Sequence, residues 1–258
     1  MPEGDTVYRT AKNLRAALEG LVLTRCDIRV PAFATVDLTG DRVDEVLSLG
    51  KHLLMRIGAV TIHTHLKMEG SWHLYRHGTR WRRPVHTARI VLETADWVAV
   101  GFSLGIVEVV ARDDEQSVVG HLGPDILAPD WRVDVALDRL TSDPARPVGL
   151  ALLDQRVIAG LGNVYRNELC FLRGVLPTRP VGEVADPKRL VTLAHSLIDA
   201  NKDRVERTTT GNLRGETAWV YGRRGRACLR CGTPIREGTL GVDELQLRET
   251  FWCPNCQT

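Results

Sequence analysis

The chain has 258 residues, 43% of them apolar, and a formal net charge of only +2. That length accommodates two modest domains, or one domain and a small module, and the apolar share excludes wholesale disorder. No apolar run approaches the length that spans a bilayer, and the start MPEGDTVYR lacks the basic-then-apolar pattern of a secretion signal, so a cytoplasmic location is expected.

An amphipathic helix opens the chain, with Val7, Ala11, Leu14 and Leu18 at helical spacing, Asp5 or Thr6 at its start and Gly20 past its end. Short runs of β character follow at Leu21–Val30, Asp44–Leu49, His52–Ile57, Val60–Leu66, Ser71–Tyr75, Ala88–Glu93, Trp97–Gly101 and Ile106–Ala111. Glycines and polar turns separate them, which predicts an antiparallel sandwich or barrel. His63 and His65 alternate along one run, with His73 and His77 nearby; they read as polar strand histidines rather than as a second metal site. Gly123-Pro124-Asp125 and Ala128-Pro129-Asp130 read as a linker.

The second half turns helical, at Val148–Ala159, Val164–Arg173 and Pro187–Val205, the last with Leu190, Leu193, Ala194, Leu197 and Ile198 on one face. Gly160-Leu161-Gly162-Asn163 joins the first two through a tight turn. The helix that follows offers backbone N–H groups able to hold a phosphate; an ordinary helix–helix connection is the alternative.

From Lys202 to Arg236 nine basic residues face three acidic ones, a surplus that suits an anionic polymer or simply a solvated surface. Cys228-x2-Cys231 and Cys253-x2-Cys256 form two knuckles with 21 residues between them. In a cytosolic chain such knuckles argue for metal rather than disulfides, and four thiolates make a closed, structural zinc site. Arg230 within the first knuckle, and Arg236 and Arg248 between the two, suit a nucleic-acid ribbon, while the stretch around Glu237–Leu245 predicts a long hairpin.

Taken together, the chain resembles the formamidopyrimidine-DNA glycosylase and endonuclease VIII family. The resemblance rests on MPEG at 1–4, LGKHLL at 49–54, THLKMEGSW at 64–72, LLDQRVIAGLGNVYRNE at 152–168, VYGRRGRACLRCGTPI at 220–235 and RETFWCPNCQ at 248–257. The MPEG start, and the absence of a long insertion before VYGRRG, look more like endonuclease VIII than the purine-specific branch. The fold it implies is α+β multidomain. An N-terminal helix plus antiparallel β-sandwich is expected over 1–128, a helix–two-turn–helix DNA-binding domain over 129–219 and a zinc-finger hairpin over 220–258.

The resemblance also implies a bifunctional base-excision repair enzyme. Met1 is removed, and the secondary amine of Pro2 attacks C1′ of the damaged nucleotide to form a cationic iminium. The base leaves, and β- then δ-elimination opens the strand. Glu3 is the implied catalytic acid and Lys51 the implied contact to the lesion phosphate. Asn163 and Arg248 are the implied clamps on flanking phosphates. Met68 is the implied wedge that fills the space of the flipped nucleotide. In the purine branch an arginine and a phenylalanine on a second loop assist; here Phe102-Ser103-Leu104-Gly105 offers Leu104 for the aromatic role and no arginine. Asp5 and Thr6 also depart from the family's usual residues at the start. One zinc ion, damaged DNA and a monomeric chain are the implied cofactor, partner and state. Oxidised pyrimidines are the expected substrates, with oxidised purines, or damage binding without catalysis, as the alternatives.

Overall fold

The computed structural model describes residues 2–258, so the expected removal of Met1 lies outside the described residues. The chain divides into two compact units, residues 1–121 and 122–258.

In the first unit, helix α1 (Gly4–Leu18) buries Val7, Ala11, Leu14 and Leu18, the stripe that its spacing predicts, with Ala17 beside them. Eight strands follow: β1 (Arg25–Ile28), β2 (Val43–Leu49), β3 (His52–Ile57), β4 (Val60–His65), β5 (Ser71–Tyr75), β6 (Ala88–Glu93), β7 (Val98–Phe102) and β8 (Ile106–Ala111). They form two four-stranded sheets, ordered β1-β6-β7-β5 and β2-β3-β4-β8, in which every pairing is antiparallel. Val46, Leu53, Met55 and Ile62 of one sheet share a core with Ile28, Ile90, Leu92 and Ala99 of the other. Each fully buried aliphatic side chain contributes about 1.5–3 kcal/mol. The run expected over Leu21–Val30 shortens to β1 because Leu21 and Val22 stay exposed, and only Val22 makes an isolated bridge, to Arg42. A short helix, α2 (Gln116–Val119), follows the strands.

The second unit holds α3 (Val133–Thr141), α4 (Val148–Ala151), α5 (Asn163–Leu172), α6 (Pro187–Asp199) and the hairpin β9 (Arg236–Leu240) with β10 (Arg248–Trp252). The sequence reading misses α3, whose buried face is only Ala136 and Leu140. The helix expected over Val148–Ala159 is the single turn α4. Asp154 ends it: the Asp154 carboxylate accepts from the Arg156 backbone N–H at 2.9 Å and pairs with Arg146 and Arg156 at 2.9 and 2.8 Å, locking a turn that competes with helix. The same hydrogen bonds, Arg156 first, hold its carboxyl well below the usual range. Helix α6 starts on the cap that Asp186 gives the Arg189 N–H and stops before Val205. Asn201 takes over there, its amide donating to the Leu197 and Thr208 carbonyls at 2.8 and 2.9 Å. The hairpin loop over 241–247 is held by Asp243, which accepts from the Leu245 and Gln246 N–H groups.

The division between units falls before residue 122 rather than at 128. The segment read as a linker is packed: the Gly123 N–H donates to Gln155, Ile126 donates to Ala159, and the Ile126 side chain lies in the helical core. Nor do residues 220–258 stand apart from the helices, because Cys228, Ile235, Phe251 and Cys253 share a small core with Phe171 of α5. Among the described residues no helix is long and apolar enough to cross a membrane.

Candidate active site and four-cysteine centre

In the first unit, Pro2 and Glu3 immediately precede α1, with Pro2 half-buried and Glu3 wholly buried. Glu3 occupies the cap position with extended backbone, yet its carboxylate makes no capping bond to the first helical turn. Glu3 thus lies at the helix end where the dipole favours an acid, but it is wholly buried, next to Pro2 in the chain. Asp5 is also buried and turns its carboxylate to the Thr6 N–H at 2.7 Å.

Lys51 follows Gly50, whose φ of 57° makes the tight reversal between β2 and β3. Cross-strand register then gathers histidines beside it. His52 opposes His65 and His63 opposes Glu108. His63 Nε2 lies 2.8 Å from His52 Nδ1, and His63 Nδ1 lies 2.8 Å from a Glu108 carboxylate oxygen. The His52 and His63 rings stack at 5.0 Å, with His65 and His121 edge-on to His52. Burial, reinforced by neighbouring histidines and lysines, pushes His52 down to about 3 and His65 down to about 4, with Lys67 and Lys51 the leading charges at His65.

Met68 stands 63% exposed in the turn after β4. The turn is tight: the Gly70 N–H donates to the Leu66 carbonyl at 2.9 Å, and Lys67 has a φ of 52°. A side chain at Gly70 would sit 2.4 Å from that carbonyl oxygen. Leu104 is placed differently. It is 2% exposed, packs in the core over Gly101, and follows Ser103 with a φ of 47°. A residue that fills the core cannot fill a gap in a base stack, so the reading of Leu104 as a second filler is corrected. The 103–105 turn underlies the Met68 turn instead, with the Gly105 N–H on the His65 carbonyl and the Lys67 stem across Gly105.

In the second unit the start of α5 grips β10. Asn163 is 4% exposed, and its amide donates to the Glu249 carbonyl at 2.9 Å. Arg166, fully buried, donates to the same carbonyl at 3.0 Å, to the Thr250 hydroxyl at 2.9 Å and to the Asn163 side-chain oxygen. Asn167 accepts from the Phe251 N–H at 2.7 Å. The structure thus brings Asn163 beside Arg248, whose side chain is exposed at the head of β10. One of the two Asn163 amide hydrogens holds Glu249 in place, so Asn163 fixes the strand that presents Arg248 outward. One turn later, the buried Glu168 carboxylate accepts from three successive backbone N–H groups, those of Trp219, Val220 and Tyr221, at 2.7–2.9 Å, and from the Thr209 hydroxyl. Sequence reasoning missed Arg166, Asn167 and Glu168. The only signal was their cluster of polar types at positions that the α5 face buries.

Cys228, Cys231, Cys253 and Cys256 converge as expected. Their sulfurs all lie within 4.8 Å of one another, with Cys231 Sγ 3.4 Å from Cys253 Sγ and Cys228 Sγ 4.0 Å from Cys256 Sγ. Four such donors can hold a metal ion. Among the described residues this is the one cluster that meets the geometry, and the histidine row does not.

Two family models match the chain: the formamidopyrimidine-DNA glycosylase N-terminal domain over residues 1–103 and the formamidopyrimidine-DNA glycosylase H2TH domain over 122–212. Among curated proteins it is 57% identical to a DNA-(apurinic or apyrimidinic site) lyase of Mycolicibacterium smegmatis, over 100% of this chain and 99% of the relative. It is 55% identical to an endonuclease 8 2 of Mycobacterium bovis, with 100% of both covered. Among solved structures it superposes with a TM-score of 0.81 on MutM in complex with carbocyclic 8-oxo-G containing DNA, at 22% identity over 100% of both chains.

Proposed function

The chain belongs to the formamidopyrimidine-DNA glycosylase family, on its endonuclease VIII branch, and from that premise we propose that it removes oxidised pyrimidines from DNA through an iminium on Pro2. It is a base-excision repair DNA glycosylase with abasic-site lyase activity, like the relatives that share more than half of its sequence.

The observation that carries the mechanism is Glu3, a wholly buried carboxylate next to Pro2 that does not cap its helix. An α-amino group titrates near neutral pH, so the Pro2 amine is available as a nucleophile once Met1 is gone. Its lone pair forms the bond to C1′ as the bond to the damaged base breaks. Glu3 protonates the sugar ring oxygen as the ring opens, and the resulting iminium draws electrons from C2′. Loss of the C2′ proton then expels the 3′ phosphate, and a second elimination expels the 5′ one. Lys51 holds the phosphate at the lesion, and Met68, exposed on a rigid turn, fills the gap left by the flipped nucleotide. Arg248 contacts a flanking phosphate from a strand that Asn163 positions. The pyrimidine preference is supported by the 102–105 turn, which supplies no arginine and buries Leu104.

The four cysteines hold one structural zinc ion. Thiolates about 2.3 Å from a tetrahedral ion lie about 3.8 Å apart, and separations of 3.4 and 4.0 Å bracket that value. Bound there, the metal stabilises the fold of the hairpin rather than taking part in catalysis. The chain acts as a cytoplasmic monomer on damaged DNA.

Borohydride trapping on an abasic-site oligonucleotide tests the reading, because borohydride reduces an iminium to a stable amine. Protein with a verified Pro2 terminus is expected to give a covalent adduct, and protein that retains Met1 none. Equal trapping by both forms, or DNA binding with no adduct from either, overturns the Pro2 mechanism. A preference for 8-oxoguanine opposite cytosine over oxidised pyrimidines overturns the substrate assignment.

A further inference from the structure

The loop between β5 and β6 has no place in the chemistry above. Between Arg76 and Thr87 it carries four arginines, two histidines and no acid. Arg76 is occupied: its guanidinium lies 3.8 Å from the Trp97 ring centroid and donates to the Asp96 carbonyl. Arg80, Arg82 and Arg83 are different. All three are exposed, and none forms an ion pair among the described residues. Several other arginines of this unit are paired, Arg25 with Asp27 and Glu93, Arg56 with Glu45 and Glu115, and Arg112 with Asp44, whereas these three adjoin one another with no acid in the loop.

The loop is also held in shape. Trp81 turns inward, stacked on Tyr75 at 6.4 Å and edge-on to Phe102 at 5.7 Å, with the Arg29 guanidinium 5.8 Å from its centroid. The Arg82 N–H donates to the Tyr75 hydroxyl at 3.1 Å. Residues 79–85 line a shallow cavity of about 630 Å³. An inward tryptophan thus alternates with outward arginines, and the three free guanidinium groups share one pinned surface. Like charges gathered without counter-ions raise the local potential and destabilise the loop slightly, a cost that an anionic partner removes. Planar guanidinium forks match phosphate oxygens. Because Trp81 is committed to Tyr75 and Phe102, the surface offers no stacking platform for bases, and Val85 is the only exposed large apolar residue on it.

We propose that Arg80, Arg82 and Arg83 form an auxiliary contact to the DNA phosphate backbone, separate from the catalytic groups and independent of base sequence. The proposal rests on the reading of the chain as a DNA enzyme. Such a contact adds affinity for undamaged duplex and speeds the search for lesions, and it leaves the chemical step alone.

The test is equilibrium binding to an undamaged duplex across a salt series, with the wild type, R80A/R82A/R83A and R80K/R82K/R83K. The alanine variant is expected to lose roughly two to three units of the slope of log K against log salt, about 0.9 for each phosphate contact, and on the order of tenfold in affinity at moderate salt. The lysine variant keeps most of both, because the contact is one of charge. Single-turnover cleavage of an abasic-site duplex at saturating enzyme stays at the wild-type rate in all three. An unchanged slope in the alanine variant overturns the proposal, as does an equal loss in the lysine variant. Binding of a polyglutamate peptide that the alanine variant loses, with its DNA slope intact, overturns it in favour of an acidic polypeptide. Wild-type protein that binds no DNA overturns the enzyme reading itself.

Discussion

The turn that carries Met68 and the strand that carries Arg248 each present one exposed side chain, by opposite means. The turn is made by backbone: a left-handed Lys67, a Gly70 pressed on the Leu66 carbonyl, and a Gly105 beneath the Lys67 stem. The strand is made by buried side chains, with Asn163, Arg166 and Asn167 reaching across from α5 to its carbonyl, hydroxyl and N–H groups. The contrast teaches where each is vulnerable. The turn tolerates loss of its exposed side chain but not the addition of a methyl group. The strand tolerates change at Arg248 itself but not loss of the polar groups behind it.

Arg166→Ala attacks the strand at its strongest point. It empties the space of a fully buried side chain and removes partners from Glu249 and Thr250. The expected loss is about 3–5 kcal/mol in urea unfolding, with DNA affinity reduced more than by Arg248→Ala. A loss under about 1 kcal/mol would show that the network is not what holds the strand.

The turn is sharpened by a pair of variants. Gly70→Ala places a methyl group 2.4 Å from a backbone oxygen and is expected to cost about 1–3 kcal/mol. Met68→Ala, at an exposed site, is expected to change stability by less than about 0.5 kcal/mol. Both are expected to slow base excision about tenfold, by misplacing or removing the wedge, while cleavage of a preformed abasic site falls less. Equal stability of the two variants by thermal melting would contradict the backbone account.

The smallest effect is one of pH. His52 and His65 have folded values of about 3 and about 4, below the unfolded value near 6.5. The unfolded chain therefore binds more protons between those limits. Their neutral burial stabilises the fold fully above about pH 6.5 and progressively less as pH falls toward 4. The melting temperature is expected to drop over that window, and less so in His52→Gln/His65→Gln. An identical pH profile in that variant would remove the histidine row from the account.

The first unit was largely legible, because short apolar and β-branched runs bounded by glycines and polar turns mark each strand, and seven of the eight expected runs lie within a residue or so of the observed strands. The second was less so. Asp154 ends a helix through two arginine side chains and the Arg156 backbone N–H, which no apolar period reveals. Met68 and Leu104 are both apolar residues in loops, and only the packing of Gly101 and Gly105 separates the exposed one from the buried one. The hold of Asn163 on Glu249 was hidden because the two are 86 residues apart. The cysteines needed no such context, since the spacing within each knuckle already brings two sulfurs to one point.

The histidine row carries a direction. A carboxylate can only accept, so Glu108 requires the hydrogen of His63 on Nδ1 while the rings are neutral. His63 Nε2 is then an acceptor, and the hydrogen of His52 must lie on Nδ1. The lone pair of His52 is thereby assigned to Nε2, on the residue next to Lys51. A single acid on β8 thus dictates the tautomer of a ring two strands away, and Glu108→Gln would leave that choice open in both rings at once.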